Sequence, residues 1–177
     1  MPYGIYTVHQ VSGWEGSEQM PDFDVFISQN GATYRYLINN APFNSFIKIV
    51  KQDAETGKTI PYAGAGFKIY DPDGNPVTMT FTYPTPTTID VFYTNAEGSL
   101  VTPEKLSFGK GYSIVEVHAP YGYVLDETPV YFDVTEDNST EESGVTVVKV
   151  DKPNMAQKGT ITVEKTGEVF FGVSVIG

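Results

Sequence analysis

The chain has 177 residues, 40% of them hydrophobic and 19% charged, a globular composition at the size of one domain plus parts of its neighbours. Acidic residues number 22 against 11 Lys and Arg, a net charge of -11 that disfavours duplex nucleic acid and anionic lipid as partners. Cysteine is absent, which excludes disulfides, thiol catalysis and thiolate metal sites without fixing the redox compartment.

Strands are predicted in chain order at residues 5–11, 23–28, 33–39, 46–52, 66–70, 77–83, 91–94, 111–117, 130–135, 145–151 and 160–165. Between them lie Asn30-Gly31, Thr56-Gly57, Asp73-Gly74, Glu97-Gly98 and Pro120-Tyr121-Gly122, residues that tolerate positive φ or preset a turn. No segment carries a sustained 3.6-residue apolar period. Many short strands without intervening helices predict an all-β, antiparallel β-sandwich. Asp71-Pro72-Asp73-Gly74-Asn75 begins like a calcium loop, but the twelfth position holds Thr82 rather than Glu, so it reads as a hairpin turn. The most apolar stretch, residues 169–177, is about half the ~20 residues a bilayer span needs, so no membrane insertion is expected. The first ten residues lack the basic and apolar regions of a signal peptide.

The chain repeats itself. Gly4-Ile5-Tyr6-Thr7-Val8 matches Gly111-Tyr112-Ser113-Ile114-Val115, with Tyr6 and Tyr112 offset by 106. Phe23-Asp24-Val25 matches Phe132-Asp133-Val134, and the spacing from Asn40 to Lys51 equals that from Asn154 to Lys165. Three matches in the same order indicate tandem domains of about 110 residues. Residues 1–42 read as the C-terminal half of one domain, 43–156 as a complete domain and 157–177 as the first strand of a third. The whole reads as a fragment of a longer tandem array.

Side chains alternate across a strand. Lys51 shares parity with Ile47 and Ile49, and Glu116 with Tyr112 and Ile114, while Val50 and Val115 lie on the opposite parity. Either face can be the buried one on this pattern. Parity alone favours two strand-end residues whose charged heads reach water.

Two motifs alter that reading. Lys51-Gln52-Asp53-Ala54-Glu55-Thr56-Gly57-Lys58, followed by Ala63-Gly64-Ala65-Gly66-Phe67, resembles K-x-D-x-x-T-G-K … L-x-G-A-x-F. Tyr112-Ser113-Ile114-Val115-Glu116-Val117-His118-Ala119-Pro120-Tyr121-Gly122-Tyr123 resembles Y-x-L-x-E-x-x-A-P-x-G-Y. Both patterns are those of the Cna protein B-type (Cna-B, or SpaA-type) domain of Gram-positive surface proteins and pilins. The resemblance implies an immunoglobulin-like sandwich and, as in many members, a spontaneous Lys–Asn isopeptide bond assisted by a glutamate. It maps the lysine to Lys51, the glutamate to Glu116 and the asparagine to Asn154. Asp151 is the alternative acceptor, since some members use Asp. The matching Asn-to-Lys spacing favours Asn154.

The chemistry suits these residue types. Burial favours the neutral, nucleophilic form of an amine and the protonated form of a carboxyl. A protonated carboxyl can polarise an amide and relay protons to departing ammonia. The reaction turns over once, so it is self-modification rather than enzymology, and it needs no cofactor or metal. Gln10 occupies the Glu116 position in the first repeat, and an amide cannot relay a proton in that way.

The leading functional expectation is a structural stalk module of an extracellular, cell-surface adhesin or pilin-like protein, with neighbouring Cna-B-like domains of the same parent chain as its partners. The alternative is an adhesive module that binds a host glycan or protein through Trp14 or residues 83–88. An enzyme is disfavoured: His9 and His118 flank equivalent repeat positions, but neither G-x-S-x-G nor H-E-x-x-H occurs. The Tyr-Pro-Lys-Asn core of the family's pilin polymerisation motif is also missing.

Overall fold

The computed structural model describes residues 1–164 and is an all-β structure. Its strands are β1 (Gly4–Val8), β2 (Phe23–Ile27), β3 (Asn44–Asp53), β4 (Gly66–Tyr70), β5 (Met79–Phe81), β6 (Thr87–Ile89) and β7 (Phe92–Tyr93). They continue with β8 (Ser99–Val101), β9 (Leu106–Ser107), β10 (Gly109–His118), β11 (Val130–Val134), β12 (Ser139–Glu142) and β13 (Val145–Asn154).

Two sheets make the sandwich. One has the order β11-β10-β4-β7, the other β12-β13-β3-β8, with β9 also on β3. Both contribute to one core. Ile47, Ile49, Leu100, Val148 and Val150 come from the second sheet, and Phe67, Ile69, Phe92, Tyr112, Ile114 and Val134 from the first. The core residues Ile47 and Ile49 of β3 and Tyr112 and Ile114 of β10 lie two apart because a pleated strand sends successive side chains to opposite faces. The Tyr112 and Phe132 rings stack across β10 and β11 with centroids 5.7 Å apart, a favourable cross-strand aromatic pair.

Among the described residues all ladders are antiparallel except one. β13 runs parallel to β3 in a register that extends from Val147 opposite Phe46 to Asn154 opposite Asp53. A parallel pair cannot be closed by a tight turn. The intervening strands supply the long crossover, and the strands at the two ends of this sandwich become neighbours.

Most predicted strands occur, with shifted ends. The exceptions have physical causes. Residues 33–39 form no strand, and Leu37 is 93% exposed there. By the repeat this segment is equivalent to β13, which is held by a parallel partner, and no equivalent of β3 lies beside it among the described residues. Residues 160–164 are likewise not a strand, and Lys165 lies outside the described residues. The strands absent from the sequence reading, β6, β8, β9 and β12, are two to four residues long, and β12 (Ser-Thr-Glu-Glu) is polar throughout. Their pairing depends on the neighbouring strand rather than on their own pattern.

Residues 71–75 form the expected turn. Asp71 accepts hydrogen bonds from the backbone N–H groups of Asp73 (3.0 Å) and Asn75 (2.8 Å). The β1–β2 hairpin connects to the sandwich through a Phe43 N–H bond to the Gly16 carbonyl (2.7 Å) and a Lys110–Glu15 ion pair (2.8 Å).

The turn before β8 fixes the backbone beside the end of β3. Gly98 adopts φ +75° and accepts a hydrogen bond from the Lys51 N–H at 2.9 Å. A Cβ at Gly98 would lie 1.8 Å from the Ile60 carbonyl oxygen, so both sterics and dihedral require glycine. Gly98→Ala is expected to cost about 2 kcal/mol or more and to lower the thermal midpoint by several degrees in a calorimetric melt. An unchanged midpoint would show that this turn does not constrain β3.

Candidate functional site

The site lies where β3, β10 and β13 end together. Lys51, Glu116 and Asn154 are 0%, 0% and 1% exposed, so the expectation that the charged heads reach water does not hold. Parity explains the burial. Lys51 continues the inward face of Ile47 and Ile49, Glu116 that of Tyr112 and Ile114, and Asn154 that of Val148 and Val150.

Each group is held by specific contacts. Lys51 Nζ lies 2.8 Å from Glu116 Oε1, which has no further partner, and it donates a hydrogen bond to Asn154 Oδ1. Asn154 Nδ2 donates to Glu116 Oε2 (2.6 Å) and to the Val124 carbonyl (2.8 Å). Because a backbone carbonyl can only accept, the Val124 contact turns the amide nitrogen away from Lys51 and the amide oxygen towards it. Glu116 Oε2 also receives the Asp126 N–H at 3.1 Å. The Lys51 ammonium position lies 5.7 Å from the centre of the Phe67 ring. The Lys51 amine is pushed below its ordinary pKa, chiefly by burial; Glu116 opposes this, and nearby Lys152 adds to it.

Asp151 takes no part in this cluster. It lies on the outer face of β13, exposed, with its carboxylate 3.1 Å from Lys149 Nζ. The structure thus brings together Lys51, Glu116 and Asn154 and leaves Asp151 outside.

The two sequence motifs position this site. Asp53 Oδ1 accepts from the Thr56 N–H (2.7 Å) and hydroxyl (2.9 Å), closing the turn after Lys51, and Gly57 follows at φ +68°. Asp53 Oδ2 accepts from the Tyr123 hydroxyl at 3.1 Å, which ties the end of the first motif to the end of the second. Gly122, at φ +82°, makes the turn that presents Tyr123 and then the Val124 carbonyl.

Three participants escaped the sequence reading. Lys152 is 1% exposed, and its ammonium donates to Asp126 Oδ2 (2.9 Å) and to the Thr128 carbonyl (2.8 Å). Its parity with Val148 and Val150 was the available signal. Asp126 and the Val124 carbonyl come from the irregular connection between β10 and β11, where no periodicity exists to read.

The first repeat has a related but different arrangement. Gln10 Oε1 accepts from the Met20 N–H at 2.8 Å, ten residues on, as Glu116 does from Asp126. Around Gln10 the described residues supply no buried lysine or asparagine. His9 pairs with Asp22 (2.7 Å), and His118 stacks on Tyr93 with centroids 5.7 Å apart, so each histidine has its own local partner. Trp14, 81% exposed, lies at an open groove of about 620 Å³ that it shares with Glu15, Phe43, Phe108 and Lys110. Of residues 83–88, Thr87 and Thr88 belong to β6, and Tyr83 is exposed at the tip of the β5–β6 hairpin.

Comparisons with known proteins accord with this architecture. Among solved structures, the Bacillus anthracis TIE protein is 23% identical with a TM-score of 0.50, covering 88% of this chain and 26% of its own. BcpA (D312A), the major pilin subunit of Bacillus cereus, is 27% identical with a TM-score of 0.45, covering 63% of this chain and 28% of its own. The full-length major pilin SpaD from Corynebacterium diphtheriae is 19% identical with a TM-score of 0.48, covering 64% and 32%. The chain therefore spans about a quarter to a third of these structures. No curated protein sequence matches it. The SpaA prealbumin-like fold domain matches residues 45–149, more than half of the chain, a stretch that includes Lys51 and Glu116 and stops five residues before Asn154. The chain belongs to the SpaA prealbumin-like fold domain family.

Proposed function

We propose that this chain is a structural stalk module of a Gram-positive cell-surface protein, an adhesin or pilin-like protein displayed outside the cell, and that its sandwich locks itself with a Lys51–Asn154 isopeptide bond. The observation that carries this reading is the dry convergence of an amine, a carboxyl and a carboxamide at one end of the core.

The neutral Lys51 Nζ attacks Asn154 Cγ. Its proton passes through the Glu116 carboxyl to Nδ2, the Cγ–Nδ2 bond breaks, and ammonia leaves. One amide replaces another, with no oxidant, cofactor or metal. Apposition of the groups by the β3–β13 ladder makes the attack intramolecular, which removes much of the barrier to an otherwise very slow reaction. The event occurs once per chain, so the protein is not a turnover enzyme.

The repeat supports a tandem array in which 1–42 is the C-terminal half of a preceding domain, 43–156 a complete domain and 157–177 the opening of the next. Neighbouring domains of the same parent are then the main partners. The exposed Trp14 at its open groove favours one second reading, adhesion to a host glycan or protein; a glycan array on the chain tests it.

Intact mass tests the crosslink. Loss of ammonia is expected to leave the chain about 17 Da below its sequence mass, whereas an Asp151 acceptor would give about 18 Da through loss of water. Glu116→Gln and Asn154→Ala are expected to abolish the deficit, and Asp151→Ala to leave it intact. Wild-type chain at full sequence mass would refute the bond.

A second outcome concerns stability. The bond would close a loop between residues 103 apart. By analogy with a disulfide of that loop size, it stabilises the fold by about 4–5 kcal/mol. Lys51→Ala is therefore expected to lower the melting temperature markedly and to open the chain to trypsin. An unchanged melt and digestion pattern would count against a bond at Lys51.

A further inference from the structure

We propose that Lys152 is a positioning residue for this chemistry: a second buried lysine whose ammonium, pinned by Asp126, holds the neighbouring Lys51 amine in its neutral, attacking form. The inference rests on the crosslinking reading above.

The geometry is specific. In the parallel ladder Lys152 is the direct partner of Lys51, and both side chains point into the core. They belong to different networks. Lys152 is bound at 2.9 Å to the Asp126 carboxylate and at 2.8 Å to the Thr128 carbonyl. Thr128 N–H also donates to Asp126 Oδ1 at 3.0 Å, which fixes the carboxylate. Lys51 instead faces Glu116 and the Asn154 amide.

Two cations in adjacent register positions of a dry interior repel strongly. Asp126 and the Thr128 carbonyl compensate Lys152, whereas the Glu116 carboxyl beside Lys51 is shared with the Asn154 amide and the Asp126 N–H, so the repulsion drives Lys51 towards the free amine, one of the known ways to activate a lysine nucleophile. The charged groups that face Lys51 are Glu116 on β10, Lys152 on β13 and Asp126 in the connection between β10 and β11; β4 contributes the Phe67 ring. Burial and Lys152 act to neutralise Lys51, whereas Glu116 and, more weakly than Lys152, Asp126 act to keep it charged. Asp126 also links the two networks, because its backbone N–H donates to Glu116 Oε2 while its carboxylate holds Lys152.

The test follows bond formation in the full chain, synthesised chemically so that it starts uncrosslinked in urea and diluted into buffers from about pH 5 to 9, with acid quenching and intact mass at intervals; folding is monitored separately by circular dichroism. Wild-type chain is expected to lose about 17 Da at a rate that falls on the acid side as Lys51 becomes protonated. Lys152→Met is expected to move that fall upward by about one pH unit and to slow the reaction about tenfold near neutrality. Lys152→Arg is expected to keep the wild-type profile. Asp126→Asn removes the counter-ion that pins the Lys152 ammonium, so its acid limb is expected to move upward, in the same direction as that of Lys152→Met.

An unshifted profile for Lys152→Met overturns the proposal. So does equal slowing by Lys152→Met and Asp126→Asn with no change in pH dependence, the outcome of a purely structural ion pair. If Lys152→Met does not fold, Asp126→Asn decides: an upward shift of its acid limb supports the proposal, and an unshifted or downward limb overturns it. A wild-type chain that never loses mass removes the crosslink reading and this inference together. A wild-type chain that loses mass while Lys152→Met keeps its profile removes only this inference.

Discussion

The arrangement depends on one constraint: an amine, a carboxyl and a carboxamide share a water-free space at the end of a β-sandwich. Taking such groups out of water is strongly unfavourable unless every donor and acceptor is met. Here the Val124 carbonyl, the Asp126 N–H and the three groups themselves supply nearly all the partners. The turns around the site serve the same end. The Asp53 turn, the Tyr123 hydroxyl and the Gly98 carbonyl hold the three strand ends at fixed spacing. If any of them slackened, the buried charges would be left without partners.

A buried ion pair is often weaker in net effect than an apolar contact of the same volume. That makes the persistence of Lys51 and Glu116 in this core a poor device for stability alone. The proposed chemical role accounts for their placement better, since the linkage would replace a buried amine and a primary amide by one secondary amide and leave fewer polar groups in the core.

Much of this was legible in the sequence. The turn residues and strand patterns gave the all-β class, and the two motifs located Lys51 and Glu116. Face assignment was not settled by those residues, because Val50 and Val115 made both sides of β3 and β10 look apolar. The sandwich resolved it by burying the parity of Ile47, Ile49 and Ile114 most completely. Lys152 was passed over although it shares parity with Val150, since an isolated lysine near a strand end ordinarily keeps its head in water. The strand expected at 33–39 shows the converse limit: its apolar residues suit a strand, but a ladder needs a partner. The contribution of residues 124–128 was illegible because it consists largely of backbone groups in an irregular segment.

The parallel β3–β13 ladder has a consequence for quality control during folding. β13 is the last strand of the sandwich to be synthesised, so β3 must wait for it with one edge unpaired. Side chains in a strand alternate strictly, and a slip of one residue exchanges its two faces. In a slipped register Asp151 and Pro153 would face the core, and Asn154 would face solvent, beyond the reach of Lys51. The proposed bond can therefore close only on the correctly registered sheet. It would act as a molecular seal of inspection, making permanent those chains whose final strand docked in register and leaving misaligned ones free to open and try again.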